Sequence, residues 1–272
     1  MKLAVVTPWS SPFCYRAFTQ NLADLLTSFK RPGWEAGFFM GRGVDPASRH
    51  VDMCQQAIDW AADLICIIGA DQVHPVDMLD RLITRHEETG GHAVSALVPF
   101  RGYVSWQKMA PFQPMGWRLE CEGVRECRGM AQDPDMFVPI NPADGDMQRV
   151  DVIGSGVLLF RREHIEALKK PWFYYRVDAE TMQRVADMDT KFVWRLKTEG
   201  GADVWVDTTI KVKHLHIFEI DDTFTGRFSD WVEAGKGDET CKHRDQPPLK
   251  PNNFFKNADK LTEEAISHVI RG

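Results

Sequence analysis

Apolar residues recur along the first hundred positions in two alternating rhythms. Residues 3–7 form a short apolar run closed by Pro8, the pattern of a strand feeding a loop. Phe18, Leu22, Leu25, Leu26 and Phe29 then fall at helical spacing, and Arg31-Pro32-Gly33 stops that helix. Residues 35–40 read as a second strand. Pro46-Ala47-Ser48 opens a helix carrying Val51, Ala57, Ile58 and Ala61. Residues 64–68 are apolar throughout, which predicts a third strand covered on both faces. Leu79, Leu82 and Ile83 predict the next helix, ended by Gly90-Gly91, and residues 93–98 a fourth strand. Strand and helix in strict alternation predict a mainly parallel α/β sheet.

Over residues 101–148 the periodicity dissolves into Pro, Met, Gly and aromatics, and an irregular stretch of that length points to function. Order returns over 150–160, followed by a helix around 164–168. An amphipathic helix spans 189–198, with Phe192 and Leu196 four apart and Gly200-Gly201 closing it. Residues 204–206 and 210–212 read as further strands. After Asp221 the chain is charged, aromatic and Pro-rich, with a short helix expected over 263–270.

Composition narrows the class. With 272 residues, 43% of them hydrophobic, the chain buries a full core as one domain, or one domain with an appendage. Nine Trp and sixteen Phe suit a broad core or an aromatic-lined groove. A net charge of −6 supplies no global basic field, which argues against a dedicated DNA binder and leaves local contacts open. Six cysteines form no CxxC pattern; Cys66 reads as a small core residue. Cys121 and Cys127 would pair only in an oxidising compartment, and free thiols are the expectation. The apolar start is too short for a signal peptide, and no segment has the length to span a bilayer. The expected setting is soluble and cytoplasmic.

One feature carries chemistry. In "LICIIGADQVHP" an apolar strand ends in Gly69-Ala70-Asp71. Ligands of open α/β sheets sit beyond the carboxyl ends of strands. A carboxylate there, behind two small residues, can hold a divalent cation whose other ligands are phosphate oxygens. Taken alone, Asp71 equally suits a turn or the cap of the helix after Pro75, and that is the commoner fate.

The blocks "ICIIGADQVHPVDML", "VDVIGSGVLLFRREHIEAL", "DMDTKFVWRLKTEGG" and "VWVDTTIKVKHLH" follow one another in the chain. In this order they resemble the successive blocks of GT-A glycosyltransferases, the family-2-like nucleotide-sugar enzymes. The resemblance covers about residues 1–217. It implies a Rossmann-like, mainly parallel sheet flanked by helices, with 101–148 as an acceptor-side insertion. Residues 218–272 become a C-terminal extension packing on or closing the active site. The family's metal motif is Asp-any-Asp; Asp71 matches its last position, and Gly69 replaces the first. Cation binding is then weaker, or supported by another residue.

The resemblance supplies His214 for that role. If 213–216 is extended, His214 and His216 point to opposite faces, so one of them serves the cation; without the resemblance both read as ordinary strand-end histidines. Asp189 matches the family's base, kept ionised by the positive end of its helix, while Asp187 reads as an N-cap. Thr7 and Pro8 match the segment bordering the nucleotide base, with Ala70 beside them. Arg49 resembles an Arg lying near the nucleotide, or is a charged surface residue. Gly154-Ser155-Gly156 leaves room for sugar and acceptor, or makes an ordinary turn. Arg101 is placed to meet a phosphate or the acceptor.

What the resemblance implies is a metal-dependent transferase using Mn2+ or Mg2+ and a UDP- or GDP-sugar, with inversion favoured. The default acceptor is a carbohydrate or small-metabolite hydroxyl. Related small enzymes of bacteriophages decorate their genomes, so a hydroxymethylated DNA base is the alternative. Residues 101–148 and Phe218, Phe224, Phe228 and Trp231 would frame the flipped base; the same aromatics also suit sugar stacking or a core. The missing first Asp motivates a rival of another class, an inactive nucleotide-sugar-binding module. A nucleotidyltransferase is disfavoured, because no Gly/Arg-rich loop follows the first strand.

Overall fold

In this computed structural model the described residues are 1–9, 14–99, 115–119, 137–177, 180 and 184–215. Strand β1 (Lys2–Thr7), helix α1 (Arg16–Ser28), β2 (Glu35–Met40), α2 (Pro46–Asp59) and β3 (Leu64–Ile68) follow the expected alternation. A short strand β4 (Gln72–Val73), α3 (Met78–Glu88), β5 (Ala93–Leu97), β6 (Trp117–Leu119) and β7 (Phe137–Pro139) come next. After them stand β8 (Met147–Val150), β9 (Val157–Arg161), α4 (Arg162–Glu166), β10 (Arg176–Val177) and β11 (Arg184–Ala186). Helix α5 (Met188–Thr198), β12 (Val204–Lys211) and β13 (Lys213–His214) complete the described elements.

Seven strands form the central sheet in the order β2-β1-β3-β9-β5-β12-β8. β1 pairs in parallel with both β2 and β3, and β12 in parallel with β5. β9 runs antiparallel between β3 and β5, and β8 is antiparallel at the edge beside β12. The sheet is mixed α/β and mostly parallel, compatible with a Rossmann-like arrangement. Alternate residues of β1 and β3 feed two separate cores. Ala4, Val6, Ile65 and Ile67 meet Met53 and Ala57 of α2 and Phe192 and Leu196 of α5. Leu3, Val5, Leu64 and Cys66 meet Phe18 and Leu25 of α1 and Leu82 and Ile83 of α3 on the other face. Covering on both faces is what an unbroken apolar strand demands.

Local signals set the elements around the site. Asp45 accepts from Ala47 N at 2.9 Å and Ser48 N at 3.1 Å, Ser48 Oγ receives Asp45 N at 3.2 Å, and Pro46 stands at the first helical position. That capping box aims the start of α2 at the carboxyl edge of the sheet. Helix α2 ends before Ala61, which takes a left-handed φ of 59°.

Several expectations need correcting. Within the ordered stretch 150–160, β8 ends at Val150 and β9 starts at Val157, and the two occupy separate places in the sheet. Residues 204–212 hold one strand rather than two, because β12 runs through the polar stretch Asp207-Thr208-Thr209. Its register against β5 shifts between Asp207 and Lys211. Asp207 is fully buried, accepting from Arg85 Nε at 2.9 Å and Thr209 N at 2.8 Å, which satisfies its charge inside the strand. Within the supposedly irregular 101–148, β6 and β7 pair antiparallel. Cys54 and Cys66 are buried free thiols, and burial pushes the Cys66 thiol up to about 12. The proposed extension at 218–272, Cys121, Cys127 and the expected helix over 263–270 lie outside the described residues. Among the described residues no helix is long and apolar enough to cross a membrane.

Candidate functional site

β3, β5 and β12 end at one edge of the sheet, and the antiparallel β9 begins there. This brings together segments that are far apart in sequence. β4 pairs antiparallel with β13, setting Gln72 opposite His214, and Leu215 N donates to Asp71 O at 2.7 Å. Within this ladder His214 Nε2 lies 3.3 Å from Asp71 Oδ2. The other ring nitrogen, Nδ1, donates to the Pro99 carbonyl at 2.9 Å. In the neutral ring the Nε2 lone pair therefore faces a carboxylate.

Asp71 stands in the turn between β3 and β4, one of the two ordinary roles expected of it, and is not a helix cap. Helix α3 starts behind Asp77, and the chain leaves Asp71 as a strand instead. The donor chemistry fits a divalent cation: one carboxylate oxygen and one imidazole nitrogen, the ring oriented by a carbonyl on its far side. Their 3.3 Å separation suits two ligands of one ion, each at ~2.1 Å. Among the described residues no group of three or more His, Cys, Asp or Glu side chains converges to hold a metal. His216 lies outside them.

Asp189 stands in the first turn of α5. Its Oδ1 accepts from Thr190 N at 2.8 Å, and Oδ2 lies 3.4 Å from Ser155 N. Burial, and then the neighbouring Asp187 charge, hold its carboxyl above the usual range. The helix end was expected to keep it ionised; desolvation outweighs that pull. Asp187 occupies the N-cap position without a capping bond from its side chain.

Behind Ser155 is a residue absent from the sequence-based candidates. His50, on α2, donates Nδ1–H to Pro46 O at 2.8 Å, and Ser155 Oγ lies 3.4 Å from its Nε2. Burial holds the ring down to about 4, so it is neutral and the Ser155 hydroxyl donates to it. Nothing in the sequence marks His50, a single histidine in an amphipathic helix.

The remaining candidates divide. Gly154 permits close packing, but a Cβ there would stand 1.9 Å from Met115 Cε and 3.5 Å from Asp189 Oδ2. The room expected for a sugar is filled here by the chain's own Met115. Gly156 O accepts from Gly69 N at 2.7 Å and ties β9 to the tip of β3. Thr7 is fully buried, its Oγ1 without a hydrogen-bond partner among the described residues; Pro8 and Ala70 beyond their strands are half-buried. Arg49 donates to Gly43 O at 3.0 Å and Val44 O at 3.2 Å, bracing the loop before its own helix. Arg101, Phe218, Phe224, Phe228 and Trp231 lie outside the described residues.

Beside His50 an open groove of about 630 Å³ runs between α2 and residues 171–175. Asp45, Ser48, Asp52 and Gln55 line one wall, and Phe173, Tyr174 and Tyr175 the other. Phe173, itself buried, packs on His50 at 4.8 Å and stacks on Phe192 at 4.0 Å between ring centres.

No family model matches the chain, and no curated protein matches it. Among solved structures it is similar to one titled "Crystal Structure of A197 from STIV". That likeness has 13% identity and a TM-score of 0.46, and covers 79% of this chain and 86% of that one. No residue or activity is transferred from a likeness so loose.

Proposed function

We propose that the chain is a metal-dependent glycosyltransferase, moving a sugar from a nucleotide-sugar donor to a hydroxyl acceptor. The observation that carries this reading is the Asp71–His214 pair, facing across 3.3 Å at the sheet edge that also holds Asp189. The order of the four sequence blocks supports it independently. Asp71 and His214 hold Mn2+ or Mg2+ in this reading. When bound, the cation neutralises charge on the departing UDP or GDP as a Lewis acid. Pro8 and Ala70 border the nucleotide, with Thr7 buried behind them.

Asp189 serves the acceptor. Its carboxylate takes the hydroxyl proton as that oxygen bonds to the anomeric carbon and the bond to the diphosphate breaks. A pKa held above the ordinary carboxylate range makes it the better base for this. Such a displacement inverts the anomeric centre.

The groove beside His50 favours a neutral polyhydroxyl acceptor. Aromatic surface from Tyr174 and Tyr175, both partly exposed, suits the stacking of sugar rings. Asp45 and Asp52 repel a phosphate backbone, which disfavours a DNA base as acceptor at this groove. The test is a nucleotide-sugar panel with Mn2+, then acceptors that include neutral glycans and hydroxymethylated DNA. Donor binding without turnover would favour an inactive binding module. No binding and no turnover would overturn the transferase reading.

A further inference from the structure

Met115 is pinned by its backbone at the carboxyl edge of the sheet. Its N–H donates to Val98 O at 2.8 Å, just past the end of β5. The next two residues are tied as well. Gly116 O accepts from Ile140 N at 2.9 Å, and Trp117 N donates to Val152 O at 2.9 Å. From this fixed base the half-buried thioether packs against the cluster of Trp117, Val152 and Trp194. A methionine side chain is unbranched and flexible, so it can change place while the backbone stays.

What it covers is the point between Gly154 and Asp189. A Cβ on Gly154 would fall inside the Met115 methyl, 3.3 Å from Met115 Sδ and 3.5 Å from Asp189 Oδ2. Gly154 is not among the glycines with a left-handed φ, so it is this neighbour that keeps the position small. Asp189 Oδ1 holds the shorter bond, to Thr190 N at 2.8 Å, while Ser155 N stands 3.4 Å from Oδ2. Oδ2 is therefore the freer oxygen. A hydroxyl that gives up its proton there must come within ~3.2 Å, and the Met115 methyl borders that place.

We propose that Met115 is a specificity-determining gate on the acceptor position, its methyl covering Asp189 over Gly154 and yielding to an acceptor's carbon skeleton rather than to water. The proposal rests on the reading of Asp189 as the base. Water makes no favourable contact with a thioether it displaces and needs polar partners of its own. A sugar ring brings C–H surface that replaces the packing Met115 gives up. Closed, the side chain protects a bound donor from hydrolysis. In that side reaction water's oxygen bonds to the anomeric carbon, the bond to the diphosphate breaks, and Asp189 takes the proton. The acceptor selected is a hydroxyl flanked by an apolar C–H face. Desolvation as the main cause of the raised Asp189 carboxyl agrees with such a cover.

The test uses two readouts on the full chain. Asp189 is titrated by 13C NMR of labelled aspartate carboxyls, assigned with Asp189→Asn. Release of UDP or GDP is followed from UDP-glucose, UDP-N-acetylglucosamine and GDP-mannose with Mn2+ and no acceptor. Met115→Ala should bring the Asp189 titration down toward 3.8 and raise acceptor-free release ~10-fold or more. Adding Gly154→Ala returns a methyl to the same point and should suppress that release again. Adding Asp189→Asn instead should cancel it. An Asp189 titration equal in parent and Met115→Ala, or unchanged release beside a shifted titration, would overturn the gate and leave Asp189 as the base. Added release that survives Asp189→Asn would overturn the base reading and the gate with it. No nucleotide binding and no release by any of these chains would overturn the transferase reading beneath both. If Met115→Ala fails to fold, the length-matched Met115→Gln, which carries a polar end to the same point, decides by the same readouts.

Discussion

His214 Nε2 faces Asp71 Oδ2 across 3.3 Å, held there by a ladder only two residues long on each strand. The pair is the meeting point of two segments that close the carboxyl edge of the sheet from opposite sides. Because Nδ1 is already committed to Pro99 O, the face of the ring toward Asp71 is fixed as well.

Removing either partner should affect metal dependence before it affects the fold. Asp71→Ala is expected to abolish sugar transfer with little change in melting temperature, and chelator should mimic it. Activity that survives both treatments would exclude a metal mechanism through Asp71. His214→Ala should raise the Mn2+ concentration needed for half-maximal turnover far more than His216→Ala; equal effects would remove His214 as a ligand.

Asp189→Asn separates chemistry from structure. Turnover should fall by something like the ~10²–10⁴-fold typical of a lost general base, with nucleotide affinity nearly unchanged. The raised carboxyl also has a sign in stability. Its contribution is complete below the ordinary value of 3.8 and is lost as pH rises through the higher folded value. Asp189→Asn should therefore gain on the parent as pH rises from 4 to 8 in urea unfolding. Normal turnover would reduce Asp189 to a structural role, and retention of anomeric configuration in the product would remove it as an inverting base.

His50 and His74 give the opposite slope. Both rings are buried and held down to about 4, against an ordinary value of 6.5. The unfolded chain takes up protons first, so the stability they contribute is present above 6.5 and lost as pH falls toward 4. Each ring accounts for on the order of 3 kcal/mol when fully titrated. Denaturant unfolding at pH 7 and pH 5 should show the parent losing stability, and His50→Gln losing distinctly less. Identical losses would mean that His50 is not buried neutral.

Arg195 secures the wall of the groove. Its guanidinium donates to Lys169 O at 2.7 Å and Pro171 O at 2.9 Å and forks onto Glu199 at 2.9 Å. A lysine cannot reproduce that fork. Arg195→Lys should cost ~1–2 kcal/mol in denaturant unfolding, because part-buried carbonyls lose a charged donor. A cost below 1 kcal/mol would show that the segment holds itself without it.

Much of this protein is written locally. Leu64–Ile68 forms as read because it is an apolar run bounded by polar residues and Gly, and Asp45-Pro46-Ala47-Ser48 announces α2 through its own capping chemistry. The place of Asp71 was legible for the same reason: it follows a run whose length and flanks fix the strand β3. Tertiary structure alone decided what depends on long-range pairing. The antiparallel insertion of β9 between β3 and β5 left no local mark, since a buried strand reads the same in either direction. β4 and β13 are too short to show a period, yet their pairing sets His214 against Asp71. His50 and Met115 are an unremarkable helix residue and an unremarkable apolar residue until Ser155, Gly154 and Asp189 meet them. A hydrogen bond between distant residues has no sequence period, so its partners emerge only when the chain is closed into a core.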